Sequence, residues 1–85
     1  MGGKTNNSYT RQVAQTVPVT PDDDADLPRG VTRAVYVGGE GDLAVVYGSG
    51  VEDVLVGLAS GLFHPLSVAR VKSTGTTATA IRAGY

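Results

Sequence analysis

Hydrophobic and polar residues divide the chain into a polar first third and a longer remainder with the pattern of β-strands. From Val31 onward, short runs rich in valine and alanine alternate with glycine-containing turns, as in sheets that bury one face. The run 31–37 alternates: one side consists of Val31, Arg33, Val35 and Val37, and the other of Thr32, Ala34 and Tyr36. Five segments are predicted to be strands: 31–37, 43–47, 51–58, 66–73 and 76–85. The sequence therefore predicts an all-β fold, a small antiparallel sandwich or barrel of about five to six strands.

Glycine-rich segments separate these runs and predict how they connect. Residues 38–42 (GGEGD) have the composition of a hairpin turn, because glycine adopts positive φ at little cost. Residues 48–50 (GSG) predict a second tight connection, and residues 60–65 (SGLFHP), which contain Gly61 and Pro65, predict a loop.

The run 51–58 also fits a helix. Its residues Val51, Val54, Leu55 and Leu58 follow the i, i+3, i+4, i+7 spacing of an amphipathic helix. The flanking glycines and three valines disfavour a helix, because glycine and β-branched residues lower helix propensity. A strand is the favoured prediction, with the helix as the alternative.

The first 28 residues differ in composition from the rest. Residues 1–10 are polar and rich in glycine and asparagine, and residues 22–26 contain four aspartates between two prolines. Such an acidic run repels itself and predicts a solvated segment. We therefore expect an extended N-terminal arm over residues 1–28 and a small β-domain over residues 29–85.

Charge and composition exclude several classes of partner. Seven basic and eight acidic side chains leave a net charge of −1, so there is no basic cluster of the kind that nucleic acids or anionic membranes select. No apolar stretch is long enough for a membrane span, and no signal peptide is recognisable. The expectation is a protein that binds neither nucleic acid nor membrane and is made in the cytoplasm.

No metal or cofactor site is predicted. The chain has no cysteine and one histidine, which removes thiolate sites and histidine pairs. Residues 38–42 resemble one calcium-binding nonapeptide repeat, but the aspartate comes one position early and there is a single copy. The cluster Asp22–Asp26 lacks the spacing of an EF-hand loop.

The residue inventory also argues against an enzyme. A catalytic triad would need Ser60 or Ser67 as nucleophile, His64 as base and Asp53 to orient it, but neither serine has a nucleophile-elbow context. We expect no catalytic residues. A chain of 85 residues without disulfides buries a small core, so oligomerisation or docking on a larger body would add needed burial.

Three stretches together resemble a known family. They are VTPDDDADLPRGVTRAVYVGGEGDLAVVY (19–47), GLFHPLSVARV (61–71) and STGTTATAIRAGY (73–85). This pattern is similar to the spike base proteins of gene transfer agents and related tailed phages. The segment 51–65 is more apolar than the family pattern. The resemblance implies a virion structural protein, located on the capsid head, with the capsid protein and a spike fibre protein as partners and a pentameric ring as the oligomer.

The resemblance also suggests which residues make contacts. We expect capsid docking by the arm, and contacts to the fibre or a neighbouring subunit by an apolar loop and the C-terminal residue. The arm residues are Tyr9, Arg11, Val13 and Val17, and the others are Leu62, Phe63, His64 and Tyr85. Two alternatives remain open: a capsid decoration or tail-tip module, and a free-standing β-rich domain that binds a saccharide or peptide.

Overall fold

The protein folds as two antiparallel sheets, seen in a computed structural model that describes residues 12–85. The seven strands of this part of the chain are β1 (Thr16–Pro18), β2 (Ala34–Gly39), β3 (Gly41–Tyr47), β4 (Glu52–Leu58), β5 (Leu62–His64), β6 (Val68–Val71) and β7 (Thr79–Gly84). One sheet has the order β1-β7-β2-β5 and the other the order β4-β3-β6. The all-β prediction is confirmed, and 52–58 is a strand rather than the alternative helix.

The core lies between the two sheets and is built from small and β-branched side chains. Strands of both sheets contribute to one cluster of buried residues: Val35, Val37, Leu43, Val45, Val68, Val71, Ala78 and Ile81. Alternation along β2 and β3 brings these side chains to the same interior, as the sequence pattern predicted. Most members of the cluster are valine or alanine, so the core contains few large side chains.

A long bent hairpin connects the sheets. Strands β2 and β3 run consecutively with only Glu40 between them, and β4 and β5 run back beside them. The pairing Val37–Leu62 in one sheet continues as Gly41–Leu58 in the other, four residues further along each strand. We call residues 34–47 paired with residues 52–64 the bent ribbon, and residues 52–64 its outer strand.

The predicted hairpin turn at 38–42 is wrong. Strands β2 and β3 lie in different sheets, and the hairpin closes at residues 48–50, where the amide of Gly50 donates to the carbonyl of Tyr47. The reason is packing, because the change of sheet lets the apolar faces of both strands reach one core. Glycine is needed here because two stretches of backbone lie close together: a Cβ on Gly41 would lie 2.6 Å from the backbone nitrogen of Ala78.

Two short strands were missed by the sequence reasoning. The predicted loop 60–65 contains β5, which pairs with β2 through Tyr36–Phe63. Strand β1 pairs with β7 through Val17–Ala83. Each has three residues, and the flanking glycine and prolines hide so short a strand.

The described part of the predicted arm packs on the domain. Beyond β1, Val19 and Leu27 contact the core cluster, so packing begins before residue 29. The segment 22–32 follows β6, with the amides of Asp22, Leu27 and Thr32 donating to carbonyls of that strand at 2.8–3.0 Å. At the surface two aspartates add side-chain contacts: Asp26 pairs with Arg70 at 2.9 Å, and Asp23 accepts from the Thr74 amide at 2.9 Å. Residues 1–11 lie outside the described part of the chain.

Candidate interaction surface

The outer strand of the bent ribbon forms an edge in both sheets. Strand β4 is the edge of the three-stranded sheet and β5 is the edge of the four-stranded sheet. Four apolar side chains on this strand are about half exposed or more: Val54 (52%), Val56 (76%), Leu62 (55%) and Phe63 (50%). Exposed apolar residues concentrated on one sheet edge are typical of a contact surface.

The amide and carbonyl of Val54 point away from β3, along the plane of the sheet. The amide and carbonyl of its cross-strand partner Ala44 point to the opposite side of β3: the amide donates to Thr76 Oγ1 at 3.0 Å, and the carbonyl accepts from the Lys72 amide at 2.8 Å. Ala44 and Val54 therefore form a non-hydrogen-bonded pair of the antiparallel ladder. The outward amide of Val54 donates to Asp53 Oδ1 at 2.8 Å, within its own strand.

The other sheet edges are less open. The second side of β6 is covered by the segment 22–32, as described above. The edge at β1 is three residues long and ends at Pro18, which has no amide hydrogen to donate. Among residues 12–85, no strand pairs with the outer side of β4 or β5. The outer strand of the bent ribbon is therefore the longest edge in the described domain that remains available for pairing.

Charge is distributed unevenly around this edge. Residues 34–69 contain four acidic residues and no lysine or arginine. Lys72, which follows β6 on the far side of β3, pairs with Glu52 at 2.8 Å, and this hydrogen bond holds the pKa of Glu52 below its usual value. Asp53 accepts a hydrogen bond from the Tyr47 hydroxyl at 2.9 Å, which raises the pKa of Tyr47. Lys72 thus neutralises Glu52 but not Asp53, so the surface beside Val54 keeps a negative charge.

The structure places the predicted residues Leu62, Phe63 and His64 together on β5. The Phe63 ring lies against Tyr36, with ring centroids 5.2 Å apart and planes inclined by 57°. His64 Nε2 lies 3.1 Å from the carbonyl oxygen of Ala59 and the residue is half buried. The apolar pair is thus presented outward, while His64 helps to hold the connection between β4 and β5.

Tyr85 lies elsewhere in the domain. Its hydroxyl donates to the carbonyl of Gly30 at 3.0 Å, and the Arg29 guanidinium lies 5.1 Å from its ring centroid. Burial raises the pKa of Tyr85, against the opposing effect of Arg29. Strand β2 separates β7, which precedes Tyr85, from β5. Tyr85 thus follows a strand that does not pair directly with the Leu62–His64 strand.

The predicted arm residues fall into two groups. Tyr9 and Arg11 lie outside the described residues. Val13 and Val17 are half buried against the domain, and a Cβ on Gly84 would lie 3.0 Å from Val13 Cγ2. Part of the surface of Val13 and Val17 is therefore buried by packing on the chain's own sheet.

The sequence reasoning missed Val54 and Val56 as surface residues. It treated them as ordinary strand positions because an apolar side chain in a strand is buried by default. The run 51–58 is apolar without a clear strand period, and such a run is expected for a strand buried on both faces. The local pattern therefore contains no signal that Val54 and Val56 are exposed.

The described domain has no feature of a built ligand site. Its grooves are shallow, with volumes of about 270 and 370 Å³, and the larger one contains the Glu52–Lys72 pair. Within residues 12–85, no buried side-chain polar atom lacks a partner, and no three acidic, histidine or cysteine side chains cluster as metal ligands do. Asp53 accepts from the Tyr47 hydroxyl and the Val54 amide, and His64 bonds the Ala59 carbonyl, so neither bonds the other or a serine.

Membrane insertion by a helix finds no support in the described residues, which contain no helix of sufficient length and apolarity.

Comparison with known proteins identifies a structural relative. Neither the protein-family models nor the curated proteins match the sequence. The fold is similar to that of a chain in a solved structure described as the capsid of a native gene transfer agent particle computed with C5 symmetry. The TM-score is 0.75 at 25% identity, over 96% of this chain and 100% of the other. This full-length likeness supports a virion structural protein that associates with a capsid.

Proposed function

We propose that the protein is the base of a head spike, a non-enzymatic component that sits on a capsid vertex and carries a host-contacting fibre. The observation that carries the proposal is the full-length structural likeness to a chain of a gene transfer agent capsid. The sequence pattern of residues 19–47 and 73–85, which resembles spike base proteins, supports it independently.

The proposed assembly is a pentameric ring. The related structure was computed with C5 symmetry, which is the symmetry of a capsid vertex and is compatible with five equivalent copies. A ring would also bury part of the surface of a small domain that has no disulfide to stabilise it. The apolar outer strand of the bent ribbon is the surface we assign to the fibre or to a neighbouring subunit, with Leu62 and Phe63 as its predicted contacts.

Capsid docking is assigned to the N-terminal segment. Because Val13 and Val17 pack on the domain, Tyr9 and Arg11 are the arm residues we assign to the capsid. Deletion of residues 1–11 leaves the described contacts in place, whereas deletion of residues 1–28 would also remove β1 and Leu27. The shorter deletion should release the protein from particles without unfolding it. Retention of the truncated chain at the wild-type copy number would overturn this assignment.

The proposed function is tested by a mass-spectrometric inventory of purified particles with isotope-labelled standards for this chain and the shell protein. The expected result is this chain in the particles at a copy number far below that of the shell protein. A copy number equal to that of the shell protein would instead indicate a decoration protein. Absence from particles, with the chain abundant in the lysate, would overturn the virion assignment and favour a free binding module.

A further inference from the structure

The outer side of β4 has the features of a strand-docking site. Its edge is open among residues 12–85, the Val54 amide and carbonyl point outward, and Val54 and Val56 are exposed beside them. The β6 edge of the same sheet is covered by the chain itself. Proteins usually protect long edges, so an uncovered apolar edge next to a covered one indicates that something else occupies it.

We propose that the outer strand of the bent ribbon takes up an extended strand from another protein of the particle by β-strand addition, centred on Val54. In this binding mode the main chain supplies hydrogen bonds and alternate side chains supply specificity. The Val54 amide would exchange Asp53 Oδ1 for a carbonyl of the incoming strand. The inference deepens the proposed function, since it rests on the chain being a particle component and names the chemistry of its partner.

Charge defines the partner strand. Glu52 and Asp53 both lie beside the docking edge. Lys72 pairs with Glu52, whereas Asp53 accepts from the Tyr47 hydroxyl and forms no ion pair with a residue of the described domain. The incoming strand should therefore carry apolar residues at alternate positions, to cover Val54 and Val56, and a lysine or arginine near Asp53.

The same charge argues against a second copy pairing through this edge. Two bent ribbons paired edge to edge around Val54 would bring their Asp53 carboxylates close together, which is unfavourable. Such a pair would also be two-fold symmetric and closed, unlike a ring of five. The described part of the chain has no other long open edge to offer a neighbour.

The test compares two substitutions at Val54 in the full-length chain, expressed in a producing strain that lacks the native gene. Val54→Pro removes the outward amide, and its ring occupies the space of an added strand, whereas Val54→Thr keeps the amide and the β-branched shape. The copy number of this chain and of every other particle protein is measured in purified particles.

Under the proposal, Val54→Pro lowers by at least tenfold either the copy number of this chain or that of one other particle protein. Val54→Thr leaves both at wild-type levels. Wild-type copy numbers for the proline variant would overturn strand addition while leaving the proposed function intact. Absence of the wild-type chain from particles would overturn both.

A second pair covers the case in which Val54→Pro unfolds. Val56 is the most exposed apolar side chain on the strand, so Val56→Lys changes surface charge without disturbing the core. The lysine should repel a basic partner strand and reproduce the tenfold loss, while Val56→Thr should not. Equal copy numbers for the Lys and Thr variants, both with wild-type melting temperatures, would overturn the proposal.

Discussion

Thr32 holds the segment that covers β6, and its hydroxyl can be tested directly. Thr32 is the buried polar residue of the described domain, at 2% exposure. Its Oγ1 donates to the carbonyl oxygen of Leu66 at 2.7 Å and accepts from the amide of Val68 at 3.1 Å. Thr32→Val keeps the shape of the side chain but leaves the buried Val68 amide and the partly buried Leu66 carbonyl without this partner.

The expected loss follows from the cost of unsatisfied buried groups. Each costs about 1–3 kcal/mol, so the two together cost roughly 2–6 kcal/mol of the free energy of unfolding. In a domain of this size about 1 kcal/mol lowers the melting temperature by roughly 4–8 °C, so we expect a decrease of at least about 8 °C. The control Thr32→Ser keeps the hydroxyl and loses one methyl group, at a cost of about 1 kcal/mol.

Differential scanning calorimetry of the two purified variants at neutral pH distinguishes the two effects. The account predicts that Thr32→Val melts well below Thr32→Ser. It also predicts that the valine variant self-associates more readily on size-exclusion chromatography, because loosening of residues 22–32 exposes the edge of β6. Melting temperatures within 2–3 °C (about the loss of a few tenths of a kcal/mol) of each other would refute the reasoning.

Three further predictions concern other contacts. Gly41→Ala should lower the melting temperature much more than Gly50→Ala. Both glycines have positive φ, but only at Gly41 (φ 156°) would the new Cβ contact backbone atoms. Thermal unfolding of the two variants measures the difference. Hydrogen bonds from Thr74 lower the pKa of Asp23 below 3.8. Their stabilisation is therefore present above about pH 4 and is lost as pH falls through the folded-state pKa. In melting temperatures measured as a function of pH, Asp23→Asn should reduce the decrease at acidic pH, and an unchanged decrease would contradict this prediction. Tyr85→Phe should cost about 0.5–1.5 kcal/mol in urea unfolding, from the lost hydrogen bond to Gly30, and no loss would show that this bond is not maintained in solution.

Much of the fold could be predicted from sequence because period-two alternation reports burial. Val35 and Val37 alternate along β2 and are buried, and the all-β class follows from such runs. The change of sheet at Glu40 could not be predicted in the same way. Glycine permits both a tight turn and a close approach, and the choice depends on Ala78 and Thr79, which lie far away in sequence.

The candidate surface was predicted in part. An apolar pair beside glycine and proline in a predicted loop indicates a contact site at Leu62 and Phe63, and the structure exposes both, although in a strand. Val54 could not be chosen, because its exposure depends on which side of β3 is covered. That side is determined by β6, which is distant in sequence. Edge position is a property of topology rather than of local pattern.

The central claim, that this protein is a vertex component of a virion head, is tested most directly by electron microscopy of particles with and without the gene. Heads should be averaged around their vertices with five-fold symmetry from the wild-type strain, a deletion strain and a complemented strain. The account predicts density projecting from the vertices that is lost on deletion and restored by the wild-type gene. Vertices that look the same in all three strains, or a loss confined to the tail or spread over the whole shell, would contradict it.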